Sequence, residues 1–178
     1  DLPEVAQRRV LDLLPSARGD VAVALGRGHV LGHALLEPRA PARQAQADEL
    51  MRANWQVEDG ALVYRGTNFD NLCTAKEYAN FELVADWKIT PGSDSGFYLR
   101  GTPQVQIWDP FTQPPKAGNE VGSGGLFNNQ TNAAKPLRVA DQPIGEWNRM
   151  RMILVGNKAH VFLNDELVVN NTVMENYW

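Results

Sequence analysis

Cysteine is almost absent from this chain of 178 residues, which contains only Cys73. A single thiol excludes an internal disulfide, and its apolar setting favours a buried side chain over a nucleophile. A basic surplus is absent too, because 17 Lys and Arg face 21 Asp and Glu, giving a formal net charge of -4. Since a protein that binds a phosphate backbone needs a basic face, this balance argues against a nucleic-acid partner.

Long apolar runs and histidines are also scarce. No stretch approaches the roughly 20 apolar residues of a membrane-spanning helix, so no membrane partner is predicted. His29, His33 and His160 are the only histidines, and they form neither a Ser-His-Asp order nor a zinc motif. His29 and His33 have the spacing of a helical metal pair, but three glycines within residues 26–32 disfavour a helix. We therefore interpret both as solvated and predict no metal ligands among them.

What the chain does contain is a set of short runs that alternate apolar and polar residues, at 81–89, 95–100 and 104–109. Alternation with period two predicts β-strands, because successive side chains of a strand point to opposite faces. Turn residues separate the runs, so we expect the three strands to form an antiparallel meander. Further two-residue turn signals at 59–60, 156–157 and 164–165 predict hairpins elsewhere. The predicted fold class is all-β, an antiparallel two-sheet sandwich with a short helical N-terminal segment.

The two faces of these runs predict different environments. The apolar face supplies the predicted core: Phe81, Leu83, Trp87, Phe97, Leu99, Val105 and Ile107. The polar face carries Glu82, Asp86, Lys88, Tyr98, Arg100, Gln104 and Gln106. Such a face is commonly a solvated sheet surface. It also has the rings, amides and charges that a sugar-binding cleft needs.

Together with the stretches 122–129 and 145–148, these runs resemble the 3-keto-disaccharide hydrolase family. The resemblance covers residues 42–178 and is densest in 55–109 and 122–164. It implies a concanavalin A-like jelly roll and an enzyme that cleaves small carbohydrates oxidised to a ketone at C3. It also implies a periplasmic or secreted protein.

The implied reaction needs one base and one group that stabilises an enolate, because a C3 ketone acidifies the proton on C2. For catalysis we propose Asp86 or Asp109 as the base and Arg100 or Lys88 at the ketone. The expected substrate-binding residues are Lys88, Tyr98, Gln104, Gln106, Asn128 and Asn129, with the loops 110–118 and 122–129 as walls of the cleft. No cofactor is predicted, and a divalent metal on the acidic face is left as an open alternative.

A glycosidase pair of carboxylates is a weaker hypothesis. Glu82 and Asp86 would lie roughly 13 Å apart at ~3.3 Å per residue, which is too far for such a pair by themselves. Asp109 could complete one from the end of its strand. Two alternatives belong to other functional classes: a non-catalytic carbohydrate-binding module, and a structural or adhesive domain with a hydrated polar face.

The domain organisation has two expected parts. Residues 1–41 are an N-terminal extension or the remnant of a preceding module, with a short helix at 2–14, and should pack loosely because the opening strand of the family is not recognisable. Residues 42–178 form the jelly-roll domain, beginning with a helix at 42–54. We expect the closing strands of the family to be missing after Trp178, and a signal segment to have been removed before Asp1 or the chain to be a fragment.

Overall fold

The computed structural model describes residues 21–25, 30–31, 49, 52–65, 78–100, 104–111 and 118–175. Its strands are β1 (Val21–Leu25), β2 (Val30–Leu31), β3 (Trp55–Glu58), β4 (Ala61–Tyr64), β5 (Asn80–Ile89), β6 (Asp94–Tyr98), β7 (Gln104–Trp108), β8 (Asn148–Val155), β9 (Lys158–Leu163) and β10 (Glu166–Val173). All the strand pairs are antiparallel. The predicted all-β, antiparallel class is therefore confirmed.

The strands form two sheets of unequal size. The large sheet has eight strands in the order β10-β9-β8-β5-β1-β4-β3, with β2 also paired to β5, and the small sheet consists of β6 and β7. The predicted meander is therefore wrong at its first connection, because β5 pairs with β1 and β8 rather than with β6. The turn Thr90–Ser93 carries the chain from one sheet to the other, and Gly92 has the positive φ of 72° that a type II turn requires.

Apolar side chains from both sheets form one core. All seven residues of the predicted core are buried, from Phe81 in β5 to Ile107 in β7. They share a single cluster with Met150 and Val161 of the large sheet. The alternating pattern thus identified the inner face of each strand, although it misassigned the partner of β5.

The segment before residue 42 contributes two strands to this sandwich, β1 and the short β2. β1 lies between β4 and β5, with Val23 paired to both Leu62 and Trp87. The expectation that this segment packs loosely is therefore wrong for residues 21–25, where a short run of Val, Ala and Leu fits an interior strand. The boundary at residue 42 stays a prediction. Glu49 and residues 52–54 are helical, within the predicted helix 42–54, whereas the predicted helix 2–14 and the residues His29, His33 and Cys73 lie outside the described residues.

All three predicted hairpin turns are confirmed: Val155 pairs with Lys158 across the turn at 156–157, and the other two are identified by their backbone angles. Asp59 and Gly60 have φ of 49° and 80°, and Asn164 and Asp165 have φ of 51° and 68°. Positive φ at both central residues is the property of the type I′ turn, whose twist matches that of paired strands. These turns set the registers of β3 with β4 and of β9 with β10 at their hairpin ends.

A carboxylate at the end of the large sheet binds the loop 130–132. Glu175, just after β10, accepts hydrogen bonds from the backbone N–H groups of Gln130, Thr131 and Asn132 at 2.8, 2.9 and 2.5 Å. These donors stabilise the ionised form and lower the pKa of Glu175 to about 2. The loop 130–132 is thereby tied to the sandwich by a charge.

We expect this tie to weaken in acid. A pKa lowered on folding adds stability above the pKa of the unfolded chain, near 4.3, and this stability is lost as the pH falls towards 2. The difference in melting temperature between the wild type and Glu175→Gln should therefore be largest near pH 6 and shrink towards pH 2. Glu166→Gln, which alters an exposed ion pair with Arg138, is the control. A difference that stays constant with pH would contradict the assignment.

Candidate functional site

The outer face of the small sheet gathers polar and aromatic side chains. β6 and β7 pair in a register that sets Asp94 opposite Trp108, Gly96 opposite Gln106 and Tyr98 opposite Gln104. Alternate residues of these strands face the core, so these six positions lie on the opposite face of the sheet. Asp94 is exposed and Tyr98 is half-buried, whereas Gln104, Gln106 and Trp108 are buried. We call Asp94, Tyr98, Gln104, Gln106 and Trp108 the polar patch. The structure thus brings together three of the predicted substrate-binding residues.

A third segment widens this sheet. Residues 122–129 run along the other edge of β7, where Gly124 and Phe127 donate backbone hydrogen bonds to the carbonyls of Gln106 and Gln104 at 2.8 and 3.0 Å. Leu126 forms a bridge with Val105 and is buried in the core. The predicted wall at 122–129 is therefore an extension of the sheet itself. Most of the other predicted wall, at 112–117, lies outside the described residues.

The glycines of this segment permit close packing. Gly124 has φ of 94°, and a Cβ there would lie 2.7 Å from Cγ2 of Val168 in β10. A Cβ on Gly125 would lie 2.5 Å from the carbonyl oxygen of Ala134. These two glycines therefore let the segment approach its neighbours, which accounts for their presence by packing alone.

Asp94 is the carboxylate of the patch, and sequence reasoning missed it. Nε2 of Gln106 donates to Oδ1 of Asp94 at 2.6 Å and also lies within hydrogen-bonding distance of the carbonyls of Ser95 and Ile107. Gln106 is only 3% exposed, so its committed amide nitrogen orients Asp94. The signal was present in the sequence, because extending the alternation of β6 back by one residue before Ser95 places Asp94 on the polar face.

Tyr98 and Gln104 form the other half of the patch. Burial raises the pKa of the Tyr98 hydroxyl, and the negative charge of Asp94 raises it further, so the phenol keeps its proton and can donate it in a hydrogen bond. Gln104 lies across Gly96, since a Cβ on Gly96 would be 2.5 Å from both Cγ and Nε2 of Gln104. Gly96 thus leaves the space in which the Gln104 amide rests.

Arg100 lies at the end of the patch. It follows β6 by two residues, has φ of 56°, and is exposed. Its Nη1 donates a long hydrogen bond of 3.4 Å to the carbonyl of Ala79, just before β5. In this structure the guanidinium therefore lies at the start of β5, beyond the Tyr98 end of the patch, and not over the patch.

Asp109 is buried at the end of β7, where it has a structural role. It is only 2% exposed, and its Oδ2 and Oδ1 each accept a backbone hydrogen bond of 2.8 Å, from Gly92 and Phe111. These bonds hold the turn between the sheets against the end of β7. Both carboxylate oxygens thus have backbone donors, which makes Asp109 a less accessible base than Asp94.

Asp86 and Lys88 lie on a different surface. Asp86 accepts two hydrogen bonds from Arg149 of β8, at 2.7 and 2.9 Å, and Nζ of Lys88 lies 5.0 Å from the ring centroid of Trp147. The expectation that they border the patch is wrong, because β5 belongs to the large sheet. Cross-strand ion pairs of this kind are typical of a solvated sheet face.

The two predicted asparagines hold the segment 122–129 in place. Oδ1 of Asn128 accepts from the backbone N–H of Gln104 at 3.0 Å. Asn129 is buried, with Nδ2 bonded to the carbonyls of Ala133 and Val173 and Oδ1 to the N–H of Glu175. Asn129 is thus committed to the fold, while Asn128 lies beside Gln104 at the patch.

Neither a metal cluster nor a membrane-spanning helix is found in the parts of the chain that the structure describes. No three His, Cys, Asp or Glu side chains there come close enough to hold an ion. No helix within those parts is long and apolar enough to cross a bilayer.

The fold and the patch define a class: an all-β sandwich with a carboxylate, amides and aromatic rings on the outer face of its smaller sheet. Residues 42–178 match the family model of the 3-keto-alpha-glucoside-1,2-lyase-like domain. Since this match covers most of the chain, the chain belongs to that family, as the sequence motifs predicted.

A curated relative agrees with this assignment. The chain is 27% identical over 158 residues to a 3-keto-disaccharide hydrolase of Bacteroides thetaiotaomicron. The alignment covers 71% of this chain and 53% of the relative, so the chain spans about half the length of that protein.

Proposed function

We propose that this chain is a catalytic domain that cleaves 3-keto-glycosides, with the oxidised sugar bound on the polar patch. The observation that carries the proposal is Asp94, an exposed carboxylate oriented by Gln106, whose charge acts on the Tyr98 hydroxyl of the same strand. The family match and the hydrolase name of the relative support the substrate class.

In the proposed reaction Asp94 is the base. A ketone at C3 acidifies the C2–H bond, and a carboxylate within reach of that proton can remove it. The electron pair of the C–H bond forms the enolate, whose negative charge gathers on the former ketone oxygen. Tyr98 donates a hydrogen bond to this oxygen, and Arg100 supplies a positive charge at the same end of the strand.

Elimination then completes the cleavage. The electrons of the enolate re-form the ketone while a C1–C2 double bond forms and the C1–O bond breaks. The leaving oxygen takes a proton from the Asp94 carboxylic acid or from water, which gives an alcohol and an unsaturated keto sugar. Addition of water across the new double bond converts this elimination into a net hydrolysis.

The same groups would serve a non-catalytic carbohydrate-binding module. Tyr98 provides a half-buried ring and a hydroxyl that can bind a sugar without chemistry. This alternative predicts that Asp94→Asn binds a glycoside as well as the wild type and that neither protein cleaves it.

The decisive experiment is to incubate the protein with methyl 3-keto-α-glucoside in D₂O and to follow the sugar by mass spectrometry. Proton removal from C2 predicts cleaved products, with deuterium at C2 in the hydrated sugar. Cleavage without deuterium at C2 would favour direct hydrolysis. If the protein shows neither cleavage nor exchange, the proposal is refuted and the carbohydrate-binding module remains as the alternative.

Replacing Arg100 should slow the reaction. We expect Arg100→Ala to lower kcat by roughly a hundredfold, because a group that stabilises the enolate acts on the transition state. Its stability should change by less than about 0.5 kcal/mol, since the side chain is exposed. Arg138→Ala, which removes another exposed arginine, is the matched control and should keep full activity. A fully active Arg100→Ala protein would remove Arg100 from the mechanism.

A further inference from the structure

One large apolar side chain is exposed beside the polar patch. Phe127 is 54% exposed and lies on the segment 122–129, one strand position beyond β7. Its neighbour Leu126 is fully buried, so the alternation along this segment turns Phe127 to the outer face of the small sheet. Nothing in the packing of the core accounts for an aromatic ring at this position.

The ring is held in a fixed place. The backbone N–H of Phe127 donates to the carbonyl of Gln104, and Asn128 accepts from the N–H of that same residue, each at 3.0 Å. The ring meets Trp108 edge to face, with centroids 5.8 Å apart and planes at 85°. Trp108 is itself fixed, because its Nε1 donates to the carbonyl of Gly122 at 2.7 Å. Phe127 therefore presents a preorganised ring, which lowers the entropy cost of binding a ligand.

The position of the Phe127 ring relative to Asp94 defines which part of a substrate it can contact. Trp108 stands opposite Asp94 in the register of β6 with β7, and the ring of Phe127 packs edge to face against the ring of Trp108. Two strand spacings of ~4.8 Å, about 10 Å across the sheet, separate β6 from the segment that carries Phe127. The backbone of Phe127 lies beside Gln104, at the Tyr98 end of the hairpin, and its ring extends to Trp108, which pairs with Asp94. A sugar whose C2 lies at Asp94 would leave Phe127 within reach of the group attached at C1.

We propose that Phe127 is a specificity-determining residue that recognises the leaving group, as a ring on which a second sugar or an aryl group stacks. This inference rests on the proposed function for the placement of the keto sugar. Aromatic faces bind the apolar C–H surfaces of sugars while the hydroxyl groups bond elsewhere. The enzyme would then prefer 3-keto-disaccharides to 3-keto-glycosides with a small alkyl leaving group.

The chain offers a matched control for this proposal. Trp147 is another exposed aromatic side chain, at 42%, and its ring lies beside Lys88 of β5 in the large sheet. Its loss should affect neither substrate. Phe127→Tyr keeps a ring at the position of interest and should retain the preference, whereas Phe127→Ala and Phe127→Leu remove it.

The test compares kcat/KM for an α-linked 3-keto-disaccharide and for methyl 3-keto-α-glucoside. For Phe127→Ala we expect a loss of about tenfold or more on the disaccharide and less than about twofold on the methyl glycoside. Trp147→Ala should match the wild type on both. An equal loss on both substrates, or no loss on either, would overturn the assignment to the leaving group.

A binding measurement separates this inference from the proposed function. The unoxidised disaccharide is titrated into each protein by calorimetry, and Phe127→Ala should bind it at least about fivefold more weakly. If the wild type cleaves neither keto sugar but shows this difference in binding, the proposed function fails and the stacking role stands. Equal affinities of the wild type and Phe127→Ala, or no binding by either, would overturn the inference.

Discussion

Replacing Asp94 by Asn should lower kcat on a 3-keto-glycoside by roughly 10² to 10⁴-fold, the range expected for loss of a general base. Asn has the same size, and its carbonyl oxygen can still accept the hydrogen bond that Gln106 now donates to Oδ1 of Asp94 at 2.6 Å. The geometry of the patch should therefore persist while the group that accepts the C2 proton is lost. Steady-state kinetics with a methyl 3-keto-α-glucoside, together with a melting curve, would measure both effects.

Two control variants make this test selective among carboxylates. Asp86→Asn alters an ion pair with Arg149 on the outer face of the large sheet and should keep activity, with a stability change of about 1 kcal/mol or less. Asp109→Asn weakens the buried contacts to Gly92 and Phe111, so its main effect should be on stability. Full activity of Asp94→Asn would exclude Asp94 as the base, and an inactive but folded Asp86→Asn would assign that role to Asp86.

Truncating Phe97 should cost about 3–5 kcal/mol of stability, the range measured for loss of a buried phenylalanine ring. Phe97 is 2% exposed and belongs to the core shared by the two sheets. A two-stranded hairpin is marginally stable by itself, so the small sheet depends on such contacts with the large one. Urea denaturation of Phe97→Ala should show a large fall in the midpoint.

Phe127→Ala is the matched control for this change, because it removes the same ring from an exposed position of the same sheet. It should lower the free energy of unfolding by less than about 1 kcal/mol. Equal midpoints for Phe97→Ala and the wild type would contradict the burial of Phe97. A similar loss in both variants would show that Phe127 supports the sheet rather than a ligand.

The candidate site was predictable where it depends on one hairpin. β6 and β7 are separated by five residues, so their direct pairing is favoured, and alternation then places Tyr98, Gln104 and Gln106 on one face. Asp94 was missed because the strand begins one residue earlier than its apolar pattern indicates. Asp86 and Lys88 were placed beside the patch because β5 precedes β6 in the chain, although the two strands lie in different sheets.

The sequence by itself determined the β class, the residues of the core, three hairpin turns and the family, because these depend on side-chain polarity, turn chemistry and local motifs. Only the tertiary structure decided the pairing of strands that no hairpin turn joins, above all the partners of β5. Alternation in β5 is equally compatible with pairing to β6 or to β1 and β8, and long-range contacts select among them. The same contacts decided which carboxylate lies beside Tyr98, because the choice between Asp86 and Asp94 depends on which sheet carries each strand.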